Sequence, residues 1–441
     1  MASSAEQFAS SFNFGALSKA ADLKKRIWFT LAALVVYRLG TYIPIPGIDP
    51  AVLKEIFDQN AGGILGMFDM FAGGALGRMT IFALNIMPYI SAAIIMQLMT
   101  AVSPNLDTLK KEGEAGRKKI NQYTRYLTVL LAAVQAYGIS VGLENMASGG
   151  GAAVVNPGLF FRATTVITLV GGTVFLMWLG EQITARGIGN GISLIIFAGI
   201  VANLPQALAG TLELGRTGAL SAAFIVLLLL MAIAVIAFIV FIERSQRKIT
   251  VQYPKRQMGN KMTGGESSHL PLKLNVSGVI PPIFASSILL MPVTFAQFSA
   301  SGGGPEWLTT VNALLGRGQP LYLAVYIGLI VFFAFFYTSI VFNPKETAEN
   351  LRKYGGYIPG IRPGDRTAEY IDTILIRLTT VGSLYLTFVC LMPEFLIAKY
   401  PIPFYLGGTS ILIVVVVAID TVTQVQTRLM SSQYEQLIKK T

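Results

Sequence analysis

The sequence predicts an all-α integral membrane protein. Of its 441 residues, 53% are apolar and only 13% are charged, whereas soluble domains carry about 25% charged residues. The mean hydropathy is +0.60. Apolar runs near 20 residues, the length that crosses a bilayer core as a helix, recur along the whole chain. These observations together favour a polytopic helical protein.

Ten apolar stretches are candidate transmembrane helices. They begin near Ile27, Thr80, Tyr126, Thr164, Ile188, Ala219, Val276, Leu321, Ile371 and Ile402. We divide the chain into an N-terminal segment (1–26), a first half of five spans (27–209), a second half of five spans (219–425) and a tail (426–441). Halves of this kind often enclose a site near the bilayer midplane.

The distribution of basic residues orients these spans. Of the 34 Lys and Arg residues, 27 fall in the N-terminal segment, the tail and the alternate loops between them, which leaves seven for the other side. Because cytoplasmic loops are enriched in Lys and Arg, both termini are expected in the cytoplasm. The N-terminal stretch lacks the pattern of a cleaved signal peptide, so we expect the first span to act as its own targeting signal.

One segment does not fit this pattern of full spans. The stretch GGILGMFDMFAGGALGRM (62–79) contains an apolar run of eight residues, 64–71. Eight residues give about 12 Å of helix, and the bilayer core is about 30 Å thick. Asp69 lies in the middle of the run, and glycines at both ends supply hinges. The segment is therefore too short to span, and an interfacial helix is its simplest interpretation.

Several kinds of chemistry are disfavoured. Cys390 is the single cysteine and His269 the single histidine, which excludes a disulfide or thiolate cluster within the chain and any His-rich metal site or Ser/His triad. The stretch RGIGNGIS (186–193) lacks the Gly-Lys-Ser/Thr ending of a phosphate-binding loop and predicts a flexible helix start. We expect no catalytic residues, metal or cofactor, so energy must come from a gradient or a partner.

The centres of the spans are nearly free of charge. This disfavours an ion-coupled solute carrier, the main alternative, which usually places ionisable residues at mid-membrane. An intramembrane hydrolase would need a histidine or paired carboxylates within the spans. The spans instead carry aliphatic i,i+4 pairs near Gly or Pro: Ile86 with Ile90, Ile192 with Ile196, and Val279 with Ile283. Such pairs are usually packing or lipid-facing residues, but a ring of them would close a pore by dewetting.

Two cytoplasmic loops are long and basic. The first (243–275) alternates β-favouring and charged residues over 246–273 and predicts a short hairpin. The second (343–370) predicts a helix that starts at Asn343–Pro344, followed by a tip rich in Gly and Pro. Attraction to anionic headgroups would explain their charge, and their length and turn content favour a docking surface as well.

Five stretches carry a family resemblance. They are ALNIMPYISAAIIMQL (83–98), RGIGNGISLIIFAGIV (186–201), HLPLKLNVSGVIPPIFASS (269–287), IPGIRPGDRTAEYI (358–371) and GGTSILIVVVVAID (407–420). In content and order they resemble the SecY family, the central channel subunits of bacterial protein translocases. The resemblance implies a central pore between the two halves, through which unfolded polypeptides cross the inner membrane, and sideways release of transmembrane segments into the lipid.

The resemblance also implies roles for the unexplained residues. The segment 62–79 becomes a re-entrant plug, with Ile64, Leu65, Met67, Phe68, Asp69, Met70 and Phe71 in its short helix. The pore constriction becomes a ring of Ile86, Ile90, Ile192, Ile196, Ile283 and Ile413. Asn85 puts a polar group beside this ring. Gln135 and Asn275 match polar residues near a lateral gate between the second and seventh spans, although buried amides often merely join neighbouring helices.

Partners follow from the same resemblance. SecE-like and SecG-like small membrane subunits would assemble with the chain, and signal sequences and nascent polypeptides would pass through it. The SecA ATPase or the ribosome would dock on the two cytoplasmic loops. Arg362 matches a position used for partner coupling, and four basic residues of the first loop suit ribosomal RNA or acidic protein faces. These four are Arg247, Lys248, Lys255 and Arg256.

Overall fold

The structure is a computed structural model in which helices form almost all of the regular structure. It describes residues 21–50, 52–53, 55, 69, 72–144, 147–148, 151–218, 221–253, 256–258, 261–263, 267–289, 319–399 and 408–438. The chain divides into two compact units. The first comprises Met1–Leu220, Ser287–Gln319 and Ile402–Thr441, and the second comprises Ser221–Ser286 and Pro320–Pro401. The predicted division into two five-span halves stays a prediction.

The first unit is a helical bundle. Its helices are α1 (Ala21–Gly40), α2 (Met87–Val102), α3 (Pro104–Lys111), α4 (Glu114–Glu144), α5 (Leu159–Arg186), α6 (Gly191–Arg216) and α12 (Gly408–Ile438). Helix α5 packs against α1, α4 and α6, and α6 also packs against α12. A two-residue hairpin, β1 (Ala147–Ser148) with β2 (Gly151–Ala152), follows α4.

Between α2 and α3 the chain bends by 99°. Ser103 has an extended backbone and Pro104 occupies the first turn of α3. Since proline disfavours a helical conformation in the residue before it, this pair ends one helix and begins the next at a new angle. Helix α3 carries Lys110 and Lys111 in its last turn, where positive charges interact favourably with the helix dipole.

The second unit contains helices and the cytoplasmic strands. Its elements are α7 (Ala222–Arg244), β3 (Gln246–Gln252), β4 (Arg256–Met258), β5 (Lys261–Thr263), β6 (Ser267–Lys273), α9 (Pro320–Val341), α10 (Pro344–Lys353) and α11 (Asp365–Lys399). The short apolar helix α8 (Ile280–Leu289) begins in this unit. It packs on α9 through the edge-to-face rings of Phe284 and Phe333, whose centroids lie 5.6 Å apart.

The predicted helical, membrane-spanning character is confirmed. Among the residues described, seven helices are long and apolar enough to cross a membrane, or up to eight if the bent pair α2–α3 counts as one span. The other two predicted spans correspond to α1 and α8. Helix α1 carries Lys24, Lys25 and Arg26 in its first two turns, which lowers its mean hydropathy.

The hairpin predicted for 246–273 is confirmed. Strands β3 and β6 pair antiparallel from Gln246 with Lys273 to Gln252 with Ser267. A smaller ladder, β4 with β5, lies within the connection. We call β3–β6 (246–273) the docking hairpin. The predicted helix start at Asn343 is also confirmed, because its side chain accepts hydrogen bonds from the backbone N–H groups of Lys345 and Glu346 and caps α10.

Candidate functional site

The two predicted docking loops form one assembly in the second unit. Gln252, at the end of β3, exchanges two backbone hydrogen bonds with Tyr357, at 2.8 and 2.9 Å. The Tyr357 hydroxyl lies 3.2 Å from the side-chain oxygen Oε1 of Gln252. The loops are thus joined through backbone as well as side chains, so they present a single surface.

An apolar core supports this surface. Its buried members are Ile249, Leu272, Ile358, Ile371, Ile374, Leu375 and Leu378, which come from both strands of the docking hairpin, the second loop and α11. In β3 the buried residues alternate with exposed ones. Ile249 and Val251 are buried, whereas Arg247 and Lys248, at the start of the strand, are both exposed.

The predicted docking residues are distributed over this assembly. Arg247, Lys248 and Arg362 are exposed. Arg362 lies in the tip of the second loop, where its carbonyl oxygen accepts a hydrogen bond from the hydroxyl of Thr367, just after the start of α11. Arg256 lies in β4, and Lys255 falls outside the described residues. The exposed basic side chains could bind phosphates or carboxylates of a large partner.

Five of the six predicted ring residues belong to the first unit. Ile86 and Ile413 are each 1% exposed, Ile90 and Ile196 are buried, and Ile192 is partly buried. Ile283 belongs to the second unit and is partly buried in α8. A ring would combine residues of both units and stays a prediction.

Ile86 lies at the start of α2, after a buried segment without regular structure. Asn85, directly before it, is 2% exposed and has a positive φ of 49°. Asn tolerates this left-handed conformation better than most residues do. The backbone thus turns sharply at Asn85, and helix α2 begins with Ile86 as its cap residue.

The turn at 187–191 positions Ile192 and Ile196. Three backbone N–H groups of this turn and that of Ile192 donate to side chains: Ile188 to Thr30, Gly189 to Gln424, Gly191 to Thr184 and Ile192 to Asn190, at 2.9–3.1 Å. The acceptors come from α1, α12, α5 and the turn itself. The helix start expected here is confirmed, but the expectation that it is flexible is wrong, because three helices hold it.

The glycine at the start of α6 is required by a close approach. A Cβ atom at Gly191 would lie 2.0 Å from the carbonyl oxygen of Gly180 in α5. The two helices can therefore meet only because Gly191 has no side chain. Ile192 follows directly and packs against Gly180, where an added Cβ would lie 3.1 Å from its Cγ1 atom.

Of the predicted plug, the structure describes Asp69 and residues 72–79; Ile64, Leu65, Met67, Phe68, Met70 and Phe71 lie outside the described residues. We call 72–79 the plug base. Asp69 accepts a hydrogen bond of 2.6 Å from the backbone N–H of Gly77 through its carboxylate. Its carbonyl oxygen also accepts from the N–H of Gly74, at 2.9 Å. Asp69 is therefore tied to the plug base through both its backbone and its side chain.

Two arginines donate to the plug base, Arg38 from α1 and Arg78 from within the plug base itself. Arg38, near the end of α1, donates to the carbonyl oxygen of Gly73 at 2.7 Å, and Arg78 donates to the same oxygen at 3.2 Å. Both guanidinium groups also lie over the ring of Tyr42, at 5.1 and 4.2 Å from its centroid. Aromatic faces attract cations, so Tyr42 offsets part of the repulsion between the two charges.

The plug base also touches a predicted ring helix. A Cβ atom added to Gly73 would lie 3.0 Å from the Cα atom of Gly199 in α6. Gly199 is three residues after Ile196 on the same helix. The backbones of the plug base and α6 are therefore in direct contact.

The two predicted gate amides have different surroundings. Gln135 lies in α4, partly buried, and its side-chain oxygen is buried without a hydrogen-bond partner among the described residues. Asn275 is 3% exposed and donates to the carboxylate of Glu243 at 2.7 Å and to the carbonyl oxygen of Gly278 at 3.0 Å. Ser277 in turn donates to the Asn275 side-chain oxygen at 3.0 Å.

Sequence reasoning missed Arg38, Arg78 and Glu243. A signal was present for the arginines, since both belong to the seven basic residues assigned to the outer side, against the positive-inside trend. Glu243 stands near the end of the very apolar helix α7, and no local pattern distinguishes it from an ordinary charge at the end of a span.

Comparisons with known proteins give the family. The SecY family model matches residues 80–422. The chain is 58% identical over 419 residues to the protein translocase subunit SecY of Escherichia coli K12, covering 95% of this chain and 94% of that protein. It is 56% identical over 428 residues to the subunit of the same name from Vibrio cholerae, covering 96% of each.

Solved structures agree with the fold. A structure described as that of a protein-conducting channel superposes with a TM-score of 0.64 at 19% identity, covering 91% of this chain and 92% of that one. Sec61 in a canine ribosome–channel complex from the endoplasmic reticulum gives a TM-score of 0.62 at 18% identity, covering 91% and 92%. At such low sequence identity these two similarities are evidence for the fold and for nothing more.

Proposed function

This chain belongs to the SecY family, and we propose from that premise that it forms the channel of a protein translocase. It is a multi-pass protein of the bacterial inner membrane. In the proposed function, unfolded secretory polypeptides pass through the chain, and transmembrane segments leave it sideways into the lipid. The observation that carries this proposal is the near-complete match to translocase subunits, which extends over almost the whole chain.

The proposed seal is the isoleucine ring. Aliphatic side chains have no preferred hydrogen-bond partner, so they can contact any passing sequence while excluding water and ions. The burial of Ile86 and Ile413 supports this role, because the seal must be dry in the closed state. The bonded turn before Ile192 supports it too, since a ring of defined size needs fixed positions.

The proposed plug closes the outer side of this ring. Its apolar part, 64–71, is short, so displacing it exposes little apolar surface. In the closed state Arg38 would hold the plug base to the first helix, while Arg78 and Asp69 would brace its turn. A passing polypeptide would then displace the short apolar part of the plug away from the ring.

The proposed lateral gate involves Gln135 and Asn275. A signal sequence that enters the gate would compete for the hydrogen bonds of these two amides. Segments would then partition by their transfer free energy, which favours Leu and Ile and costs about 2.5–3.5 kcal/mol for a central Asp, Lys or Arg. The buried oxygen of Gln135, which has no hydrogen-bond partner in the described part of the chain, supports a polar role at this position, since burying such an atom is unfavourable.

The joined docking loops are the proposed binding surface for the driving partner. SecA would supply ATP hydrolysis, and the ribosome would supply chain elongation through contacts that include ribosomal RNA phosphates. SecE-like and SecG-like subunits would assemble with the chain in the membrane. We infer that the chain itself catalyses no reaction, since its relatives are channel subunits.

A reconstitution experiment tests this function. Liposomes that contain the chain with its SecE-like partner receive SecA, ATP and a secretory precursor, and protection of the precursor from added protease is measured. We expect protection that requires both ATP and a working signal sequence. Lack of protection by folded, correctly oriented protein would contradict the channel function and favour a solute carrier.

A further inference from the structure

A partly buried hydrogen-bonded pair lies where the docking hairpin joins the membrane part of the second unit. Glu243 is the second-last residue of α7, and its carboxylate accepts from the side-chain nitrogen of Asn275 at 2.7 Å. The other contacts of Asn275, with Gly278 and Ser277, use its second N–H and its oxygen. The amide is thus satisfied at both ends, which fixes its orientation.

This pair lies next to the base of the docking hairpin, where its two strands enter and leave. The backbone N–H of Leu274 donates to the carbonyl oxygen of Ser245 at 3.0 Å, and the hairpin ladder starts at the next residues, Gln246 and Lys273. Glu243 is two residues before Ser245, and Asn275 is one residue after Leu274. The pair therefore lies just beyond the last backbone bond of the hairpin. Any rotation of the hairpin about its stem must move them or break their bond.

Helix α11 supports the same point. The Tyr385 hydroxyl lies 3.5 Å from the Glu243 carboxylate oxygen that Asn275 contacts. At Gly382, one turn before, an added Cβ would lie 3.3 Å from the carbonyl oxygen of Leu274. The segment 274–275 is therefore held between the end of α7 and the middle of α11.

The chain after Asn275 leads to a predicted ring residue. Residues 276–279 form a turn in which Gly278 has a positive φ of 62°, and α8 begins at Ile280. Ile283 lies in the first turn of α8. Only a few residues separate the Glu243 bond from a residue of the proposed seal.

We propose that Glu243 is a positioning residue that couples partner docking to the gate. Its bond to Asn275 holds the start of α8 to the stem of the docking hairpin, so that a force applied to the hairpin reaches Ile283. Without the bond, α8 can move even when no partner is bound to the docking hairpin. The inference rests on the proposed channel function.

A donor–acceptor exchange tests the bond itself. In Asn275→Asp two carboxylates face each other and the bond is lost. In the double variant Glu243→Gln with Asn275→Asp, the glutamine nitrogen can donate to the aspartate, which restores a hydrogen bond in the opposite direction. Glu243→Ala removes the acceptor, and Glu243→Gln alone retains an oxygen that can accept from Asn275.

The readout is transport of a precursor with a defective signal sequence into proteoliposomes, relative to the same precursor with an intact signal. We expect Glu243→Ala and Asn275→Asp to raise this ratio roughly tenfold, because a hydrogen bond to a charged group is lost. We expect Glu243→Gln and the double variant to stay near the wild-type ratio. A purely structural bond would instead lower transport of both precursors together.

Two results would overturn the coupling. One is a wild-type ratio in Glu243→Ala, and the other is a double variant no closer to wild type than Asn275→Asp. If Asn275→Asp does not fold, the comparison of Glu243→Ala with Glu243→Gln decides alone. Absence of any transport by the wild-type complex would instead show that the proposed channel function is wrong.

Discussion

The guanidinium of Arg38 lies 2.7 Å from the carbonyl oxygen of Gly73 and joins the end of the first helix to the plug base. The same guanidinium contacts the hydroxyl of Tyr42 at 3.1 Å. Arg78 donates to the carbonyl oxygens of both Gly73 and Gly74. Arg38 therefore ties the plug base to α1, while Arg78 braces the turn of the plug base from within.

Arg38→Leu should loosen the plug base. A hydrogen bond from a charged group is worth about 1.5–3 kcal/mol, so the released state becomes more populated. We expect a higher ion leak through the reconstituted, substrate-free channel, measured as conductance. Arg216→Leu is the matched control, since Arg216 is exposed and pairs with Glu213 in the same helix end. Equal leak in the two variants would contradict this role of Arg38.

Gly73→Ala should destabilise the closed state for two reasons. Gly73 has a φ of 67°, which costs an L-residue about 1–2 kcal/mol, and its Cβ would meet Gly199 at 3.0 Å. Gly113→Ala is the control for the backbone term alone, because Gly113 has a φ of 76° and nothing within 4 Å of an added Cβ. We expect a larger drop in thermal midpoint and a larger leak for Gly73→Ala. Equal effects would mean that the contact with α6 is unimportant.

The docking of the plug base should depend on pH through Asp69. Burial raises the pKa of the Asp69 carboxyl, and the Gly77 N–H and the charge of Arg78 offset this only in part. Protonation therefore favours the docked state. As pH rises through the interval between the pKa of the released and docked segments, docking weakens, and above that interval it stays at its weaker level.

Conductance of the substrate-free channel measured against pH checks this prediction. We expect the leak to fall as the pH is lowered through that interval. In Asp69→Asn the leak should not vary with pH in this way, because the amide oxygen still accepts from Gly77 without titrating. The same pH profile in wild type and Asp69→Asn would assign the effect to another group.

Ile413→Asn should wet the proposed ring. Ile413 is 1% exposed, and a buried amide without partners costs about 1–3 kcal/mol. We expect a larger ion leak and greater acceptance of precursors with defective signal sequences. Ile413→Val, which removes one methyl group and adds no polar atom, should change both only slightly. Unchanged leak and unchanged rejection of defective signals in Ile413→Asn would count against the ring.

Arg362→Glu should impair partner-driven transport while leaving the channel assembled. The side chain is exposed at the loop tip, so reversing its charge changes the docking surface without disturbing the core beneath it. We expect a strong loss of SecA-dependent precursor protection and normal complex stability. Arg352→Glu, an exposed residue of α10 in the same loop, is the control. Normal transport by Arg362→Glu would show that this residue is not needed for coupling.

Local patterns predicted the elements that depend on local physics. The alternation of residues 246–273 indicated the docking hairpin because strands bury every second side chain, as Ile249 and Val251 do. Asn343–Pro344 indicated the start of α10 because the asparagine side chain caps a helix and proline fits its first turn. The membrane helices followed from the length of their apolar runs.

Long-range hydrogen bonds could not be predicted from such local patterns. The turn at 187–191 has the composition of a flexible segment, but Thr30 and Gln424, which are 158 and 235 residues from their partners, hold it in place. Glu243 similarly gains its role from Asn275, which is 32 residues away across the docking hairpin. No periodicity links such positions, so only the folded chain brings them together.

The bond between Leu274 and Ser245 also brings the two ends of the docking hairpin together. Neighbouring strands lie about 4.8 Å apart, so the two points where the hairpin leaves the membrane part are adjacent in space. The entropy of closing the loop is therefore largely independent of what lies between them. Changes of length or charge beyond Gln252 and Ser267 leave the buried residues Ile249 and Leu272 in place, so the far part of the hairpin could vary with the cytoplasmic partner.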